Sequence, residues 1–502
     1  MRRTAAAVGL VVLGLTLLSM RGALGGGQDE ELAFLTTASL VRDHDHAFGP
    51  DELAEVRARV SQWTEAVREA RNGRSYSVFG PAQSLLAIPL YVAADFLARG
   101  AAPESRRATC VRWCCALNPL LTALTAALVC GWLLALGLPR GAAVAGGLGY
   151  ALATPAWPYA KTFLAEPLSA CAFLAAMLLA WACALGEDHP LAPSLARRGP
   201  GGAAESDSPP CQGGVGGGPQ ATATPTPAFV ALLAGLAFAL AVLARPHNVV
   251  LLACPAWLAA RGGRRALALF LAPPLAVCGW WCWFNTVRFG RPLDFGYLAA
   301  IQGDFHLTAL PVGVVGQLLS PGRGLVWYAP GLLLAVWGWP VLARRDRGLA
   351  WALGLACLAP LLFYSLRSAW WGNWCWGPRY LIPVVPLLAL PAGVGLTRAP
   401  RAVAVALGGL GLLGALAGLV TYNGLYQDFI QRRDGGFGRL LWDPLSSPLV
   451  GHWRMLARHA PDVQLWQLAR LDPAFALVQA VLRLVPAALG LLWLRRGDDG
   501  GR

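Results

Sequence analysis

Three carboxylates, Asp29, Glu30 and Glu31, follow an apolar run over residues 5–24 that is long enough to cross a bilayer. They stand where the chain leaves the membrane. Most of the other polar features of the chain cluster at one membrane face, so Asp29 is read as the start of an active site there. The plainer reading is a solvated boundary. Lys161 is the only lysine among 41 basic side chains. An exposed, compact ammonium is a good phosphate ligand. Five residues on, Glu166-Pro167 opens the next helix. There, capping of the helix dipole competes with metal or substrate binding. Arg245, followed by Pro246 between two apolar segments, is placed to bind an anionic headgroup or to snorkel. The stretch from Trp370 to Tyr380 holds Trp371, Trp374 and Trp376 and ends in Gly377-Pro378-Arg379. Tryptophan faces stack on sugar rings, and an arginine fork binds phosphate. An interfacial aromatic belt is the alternative. His44 and His46 alternate with Asp43 and Asp45; that spacing admits a metal, but such a cluster in a polar loop reads first as solvated.

These residues need a scaffold, and composition names its class. The 502 residues are 56% hydrophobic and 14% charged, with a mean hydropathy of +0.50. A soluble domain of this length does not read so; this is an all-α polytopic membrane protein. The net charge of +14 lies largely in short arginine runs beside apolar segments. It reports topology and excludes nucleic acid as a partner. The 12 cysteines show neither a Cys-x-x-Cys pair nor zinc spacing and read as small core residues. Arg2-Arg3 and the first apolar run are read as a signal anchor.

Further apolar segments fall near 111–138, 142–157, 167–185, 229–243, 249–260, 267–284, 325–342, 349–364, 381–396, 403–422 and 474–494, giving about 12 spans with the first. The arginine groups between them share one side only if residues 85–97 do not cross, so that run is read as re-entrant or interfacial. Arg99, Arg106, Arg107 and Arg112 then violate the rule. Between spans, Leu53, Val56, Val60, Trp63 and Val67 recur at helical steps after Pro50-Asp51-Glu52, which predicts an amphipathic helix on the membrane surface. The chain divides into an N-terminal catalytic half (1–186), a disordered cytoplasmic linker rich in Gly, Pro, Ser and Thr (187–227), and a C-terminal half (228–502). Outer polar segments are 25–112, 158–166, 285–324, 367–379 and 423–473.

Ordered pieces of the chain resemble the bacterial GT-C superfamily of multi-pass glycosyltransferases, the protein mannosyltransferase and aminoarabinose transferase relatives. They are Asp29-Glu30, Tyr76-x-x-x-Gly80-Pro81-x-x-Ser84-Leu85-Leu86, Pro158-Tyr159-x-Lys161 through Glu166-Pro167, Arg245-Pro246, Asn285-x-x-Arg288-Phe289-Gly290, Ser320-Pro321-Gly322-Arg323 and Trp376-Gly377-Pro378-Arg379-Tyr380. Each alone is weak; their order and shared face carry the likeness.

The resemblance implies a GT-C-like fold and an inverting hexosyl- or pentosyltransferase. It implies a sugar on a polyprenyl phosphate donor, a glycan, lipid or protein acceptor, and a site on the outer face of a cell (inner) membrane. Asp29 would be the base, with Glu30 and Glu166 as acidic partners or contacts to metal or acceptor. Lys161, Arg245 and Arg379 would hold the donor phosphate. Tyr76, Trp371, Trp374 and Trp376 would contact sugar or acceptor. Some relatives use a divalent metal and some do not, and the spacing here leaves the cofactor open. The alternatives are a transporter or flippase for a lipid-linked sugar, which would place its polar residues at the midplane, and a catalytically inactive scaffold.

Overall fold

Apolar segments surrounded by lipid must satisfy their backbone internally, so the spans fold as helices. The structure, a computed structural model, describes residues 1–25, 27–60, 66–70, 72–185, 227–296, 304–434 and 436–496. Residues 187–226 of the predicted linker lie outside the described residues, and its last, Pro227, opens a helix. The first half runs α1 (Arg2–Leu18), α2 (Gln28–Arg42), α3 (Pro50–Arg59), α4 (Ala82–Leu97), α5 (Pro103–Cys114), α6 (Leu117–Ala135), α7 (Arg140–Leu152), the one-turn α8 (Ala156–Ala160) and α9 (Glu166–Ala184). The second half opens with α10 (Pro227–Ala244), α11 (Ala253–Ala260), α12 (Arg264–Phe289), α13 (Leu310–Leu319) and α14 (Leu325–Tyr328). It continues through α15 (Ala335–Arg345), α16 (Arg347–Ser365), α17 (Val385–Gly395) and α18 (Arg401–Val420). The last elements are α19 (Asn423–Asp434), α20 (Phe437–Trp442), α21 (Pro448–Leu456), α22 (Gln464–Leu471) and α23 (Pro473–Arg496).

Among the described residues, 7 helical stretches are long and apolar enough to cross a membrane, and α1 follows with 17 residues. Others expected as spans are broken by proline. The segment 325–342 divides at Ala329-Pro330 into α14, a 3-10 turn and α15. Pro246 and Pro383 likewise sit in 3-10 turns that lead into α11 and α17. A proline lacks the N–H that a continuous helix would use there.

Lipid tails are as apolar as leucine, so close helix packing is set by small residues. A Cβ on Gly14 would lie 2.6 Å from the Ala487 side chain, and one on Gly490 would lie 2.5 Å from the Ala7 carbonyl; these two glycines let α1 and α23 touch. The eleven described cysteines are free, and Cys110, Cys114 and Cys115 are buried in the core, as expected.

Charge marks the two ends. Arg140 donates to the Leu494 carbonyl, Arg345 to the Leu136 carbonyl at 2.8 Å, and Arg261 meets Asp346 at 3.3 Å. Asp346 also accepts from Trp181 near the end of α9, at 2.9 Å. Glu166 opens that same helix about 22 Å away at 1.5 Å per residue. Arg140, Arg261 and Arg345 therefore stand towards one end of the bundle and Glu166 at the other. Three of the four exceptional arginines have local partners: Arg106 pairs with Asp95 and Arg107 with Glu31, both at 2.6 Å, and Arg99 covers Phe96, while Arg112 bonds only within its own helix. The run 85–97 lies within α4, which is 16 residues long and packs chiefly on α2 and α5.

The amphipathic helix expected to run through Val67 ends earlier. Pro50 opens α3, with Glu52 accepting from the Gly49 N–H at 2.9 Å, but Val60 is already extended and Val67 lies on a strand; Trp63 lies outside the described residues. Leu53 and Val56 are buried against Leu32, Leu35 and Phe289 rather than facing lipid. Strands β1 (Ala47–Phe48), β2 (Val67–Glu69) and β3 (Ser75–Ser77) form an antiparallel sheet in the order β1-β3-β2, a feature the all-α reading did not include.

Candidate active site

Asp29, Glu30 and Glu31 form the first turn of α2, where the exposed N–H groups favour carboxylates. They are not a solvated boundary: Glu30 and Glu31 are 4% and 5% exposed. Glu166 opens α9 and is fully buried. Arg245 follows α10 in extended backbone, and Arg379 begins the 3-10 turn before α17. These four breaks in apolar helices converge. The Arg379 guanidinium donates through Nη2 to Asp29 and through Nε to Glu166, bridging residues 350 and 213 positions away. Arg245 donates to the same Glu166 oxygen at 2.5 Å. The second Glu166 oxygen is buried without a hydrogen-bond partner. Asp29 is the most open of the four, with 26% of its side chain exposed against 16% for Arg379, 15% for Arg245 and none for Glu166.

The surrounding motifs fix this geometry. A Cβ on Gly80 would lie 2.4 Å from the Leu243 and Ala244 carbonyls, so the Gly80-Pro81 turn packs directly beneath Arg245. Ser84 donates to the Ala33 carbonyl at 2.8 Å, tying the same piece to α2. The turn before Glu166 is held by Asn118, which donates to the Thr162 and Leu164 carbonyls at 2.7 and 2.9 Å, and by Glu30, which accepts from the Phe163 N–H at 2.8 Å. Arg323, fully buried, donates to the Trp371 and Asn373 carbonyls at 3.1 and 3.0 Å. Gln427 donates to the Cys375 carbonyl at 2.9 Å. Together they hold the tryptophan loop that presents Arg379. Asn118 and Gln427 carried no signal in the sequence.

Lys161 is not exposed, as expected of a phosphate ligand, but 4% accessible. Its ammonium donates to the Leu419 carbonyl and to Asp462, both at 2.8 Å, and Asp462 also takes Arg21 at 2.6 Å. The reason is the return of 423–473 over the site, which places Asp462 above the turn. Burial pushes the Lys161 ammonium down to about 8; Asp462 offsets part of that and Arg21 adds to it. Burial pushes Glu30 above the usual carboxylate range, against Arg21. Burial opposes ionisation of Asp462 too, yet Lys161 and Arg21 hold it below that range.

Two expectations follow. Protein carrying 13C-labelled lysine gives one side-chain signal, which should titrate near pH 8 instead of the ordinary 10.5. The protonated lysine is the disfavoured form in the fold, so its penalty is complete below about pH 8 and is relieved as the pH rises to 10.5. A titration at the ordinary value would mean an exposed ammonium. Asp462→Asn should destabilise the protein by about 3–5 kcal/mol, because Arg21 is left buried without its partner. Unfolding in detergent against denaturant reads this directly.

The aromatic residues take other places. Tyr76 is 4% exposed on β3, its hydroxyl accepting from Asn72 at 2.9 Å. Trp376 is 6% exposed, packed on Tyr328 and His452. Neither offers an open face to a sugar. Trp371 and Trp374 are half-buried against Phe437. The aromatic rings beside the arginines are instead Tyr364 and Tyr380, stacked at 3.9 Å, with His247 edge-on to Tyr364. His44 is exposed and His46 is packed between Tyr76 and Phe284. Among the described residues no group of three or more His, Cys, Asp or Glu side chains gathers that could hold a metal, so no ligand set is assigned.

No family model and no curated protein matches the chain. Solved structures similar to it do exist. ArnT from Cupriavidus metallidurans bound to undecaprenyl phosphate is 17% identical, at a TM-score of 0.46, over 97% of this chain and 75% of that one. The same protein in the apo state is 16% identical, at 0.48, over 98% and 71%. The archaeal oligosaccharyltransferase AglB from Archaeoglobus fulgidus, in complex with an inhibitory peptide and a dolichol-phosphate, is 14% identical, at 0.43, over 97% of this chain and 55% of that one.

Proposed function

We propose that the chain is a membrane glycosyltransferase that moves a sugar from a polyprenyl phosphate to a hydroxyl of a cell-envelope acceptor at the outer face of the membrane. The observation that carries this reading is the Arg379 guanidinium held between the carboxylates of Asp29 and Glu166 at the membrane mouth. In this reading Asp29, the accessible carboxylate, takes the proton of the acceptor hydroxyl. The hydroxyl oxygen attacks the anomeric carbon, and the bond from that carbon to the phosphate oxygen breaks. The lipid phosphate leaves with the bonding electrons, and the anomeric configuration inverts. Arg379 and Arg245 stabilise the charge that develops on the phosphate. Glu166 keeps both guanidinium groups in place before the donor arrives.

A nearly all-apolar cavity of about 330 Å³ supports a lipid donor. It lies between α16 and the segment that starts at Arg379, with Leu361, Leu381 and Leu388 in its walls. A chain lodged there would bring its phosphate towards Arg379. Lys161, paired and buried, serves in this reading to hold the turn before Glu166 and does not touch phosphate. Asp29, Glu166, Arg245 and Arg379 converge where helices begin or end and not within a span, which weighs against a transporter or flippase. The paired and buried charges beside an open Asp29 weigh against an inactive scaffold.

The test is transfer in proteoliposomes from synthetic polyprenyl-phosphate sugars. Release of polyprenyl phosphate together with a glycoside of opposite anomeric configuration, read by NMR, is expected. Movement of intact donor across the bilayer without release would replace this reading with the flippase.

A further inference from the structure

Arg112 and Arg483 stand together away from the paired charges of the candidate active site. Neither has a carboxylate partner among the described residues. Arg112 donates to the Ala108 carbonyl at 3.3 Å and to the Thr109 hydroxyl at 3.0 Å. Arg483 donates to the Leu17 carbonyl at 3.2 Å and to Gln464 at 2.6 Å. Each thus spends two of its five N–H groups (the count every guanidinium carries). Arg483 lies in the middle of α23, a 24-residue apolar helix. An ionisable side chain inside such a span is costly and ordinarily faces something it binds. Its contact with Leu17 places the guanidinium beside the last turn of α1.

The two arginines line one cavity of about 310 Å³ between α5, α22 and α23. Thr109 and Gln479 add polar atoms, while Trp113, Leu468 and Phe475 make the rest apolar. Two like charges lining one small cavity repel each other. Two like charges without an acid, at the end of α1 and beside apolar walls, complement an anion attached to hydrocarbon. Beyond the cavity, Leu477 and Val481 of α23 are 66% and 56% exposed and offer a bed for such chains. None of Asp29, Glu166, Arg245 or Arg379 lines this space.

We propose that the cavity seats the phosphate of an anionic glycerophospholipid of the surrounding bilayer, bridged by Arg112 and Arg483, with its acyl chains along α23. Basic pockets between membrane helices select such headgroups. The lipid would relieve the repulsion and join α5 to α23 and, through the bond from Arg483 to Gln464, to α22. The Gln464 N–H donates to the Met20 carbonyl at 2.9 Å, so that join reaches the segment carrying Arg21 and Asp462.

The test uses the full-length protein in detergent, with phosphatidylglycerol, phosphatidylcholine, a polyprenyl monophosphate and inorganic phosphate as separate probes, read by native mass spectrometry and by melting temperature. Wild type should retain phosphatidylglycerol over phosphatidylcholine and melt higher with it. Arg112→Glu places a carboxylate beside Arg483 and closes the site by an ion pair without disturbing the fold. It should retain about tenfold less phosphatidylglycerol, since reversing a basic group near a headgroup removes the attraction of more than one charge, and its melting temperature should no longer respond. Arg483→Gln, which keeps a donor towards Leu17, should lose the lipid as well. Equal retention by wild type and Arg112→Glu would overturn the proposal. So would displacement of the phosphatidylglycerol by polyprenyl monophosphate, which would make the cavity part of a donor route, or by inorganic phosphate, which would make it a free-anion site.

Discussion

Asparagine at position 29 is expected to lower turnover about 10²- to 10⁴-fold, the range that a positioned general base contributes, while the donor lipid still binds. Asparagine has the shape of aspartate but cannot accept the proton of an attacking hydroxyl. Of the four converging groups, Asp29 is the one with substantial exposure, so it is the one an acceptor can reach. Its loss leaves Arg379 paired with Glu166, and Arg245 keeps the same partner. The phosphate-binding groups therefore hold their positions. The effect should fall on kcat, with KM for the donor little changed, because the lost interaction matters only as the new bond forms. Steady-state kinetics with one donor and saturating acceptor separate these terms. Retained turnover would place the base elsewhere and remove the mechanism. A large rise in KM with kcat intact would make Asp29 a binding residue only.

Much of the scaffold was legible because an uninterrupted apolar run of span length is at home in a bilayer and almost nowhere else. The four converging residues were legible for a related reason: each interrupts such a run at a Gly or Pro break, where a charge has no role in the span itself. What the sequence lacked was distance information. Lys161 stands out as a lone lysine, but its partner Asp462 lies 301 residues on, in a segment with no periodic pattern, and Arg21 lies 441 residues from that same aspartate. Nothing local distinguishes an ammonium awaiting phosphate from one already paired. The stripe from Leu53 to Val67 misled for a different reason. Val67 fits a helical step, yet it pairs across strands with Ser77, and that partner lies outside any local window. The tryptophans show the limit of composition alone: Trp376 belongs to the packing beneath Arg379, against Tyr328, and not to an open sugar platform.

Arg379→Lys should lower turnover by about 10²–10³-fold, the loss seen when one preorganised donor to a developing oxyanion is removed, with little cost in stability. Arg379→Ala should lose as much activity and destabilise the protein by about 3–5 kcal/mol, the usual result of removing one partner of a buried ion pair. The split follows from the fork. Through Nη2 and Nε the guanidinium reaches Asp29 and Glu166 at once, and its remaining N–H groups are free for a phosphate. A lysine carries the same charge at one point and must choose between the carboxylates. It can still neutralise Glu166, which is fully buried, so the fold survives. It cannot also align the base and the leaving group. Alanine leaves Glu166 with Arg245 alone and exposes the mouth of the site to water. Melting in detergent beside single-turnover transfer gives both readings on the same preparations. A lysine variant that works at the wild-type rate would mean that charge alone suffices, and the bridging geometry would then serve only to assemble the fold. A variant stable but slow would place the guanidinium fork at the leaving phosphate, where the distance from Asp29 to the anomeric carbon is set by the same side chain.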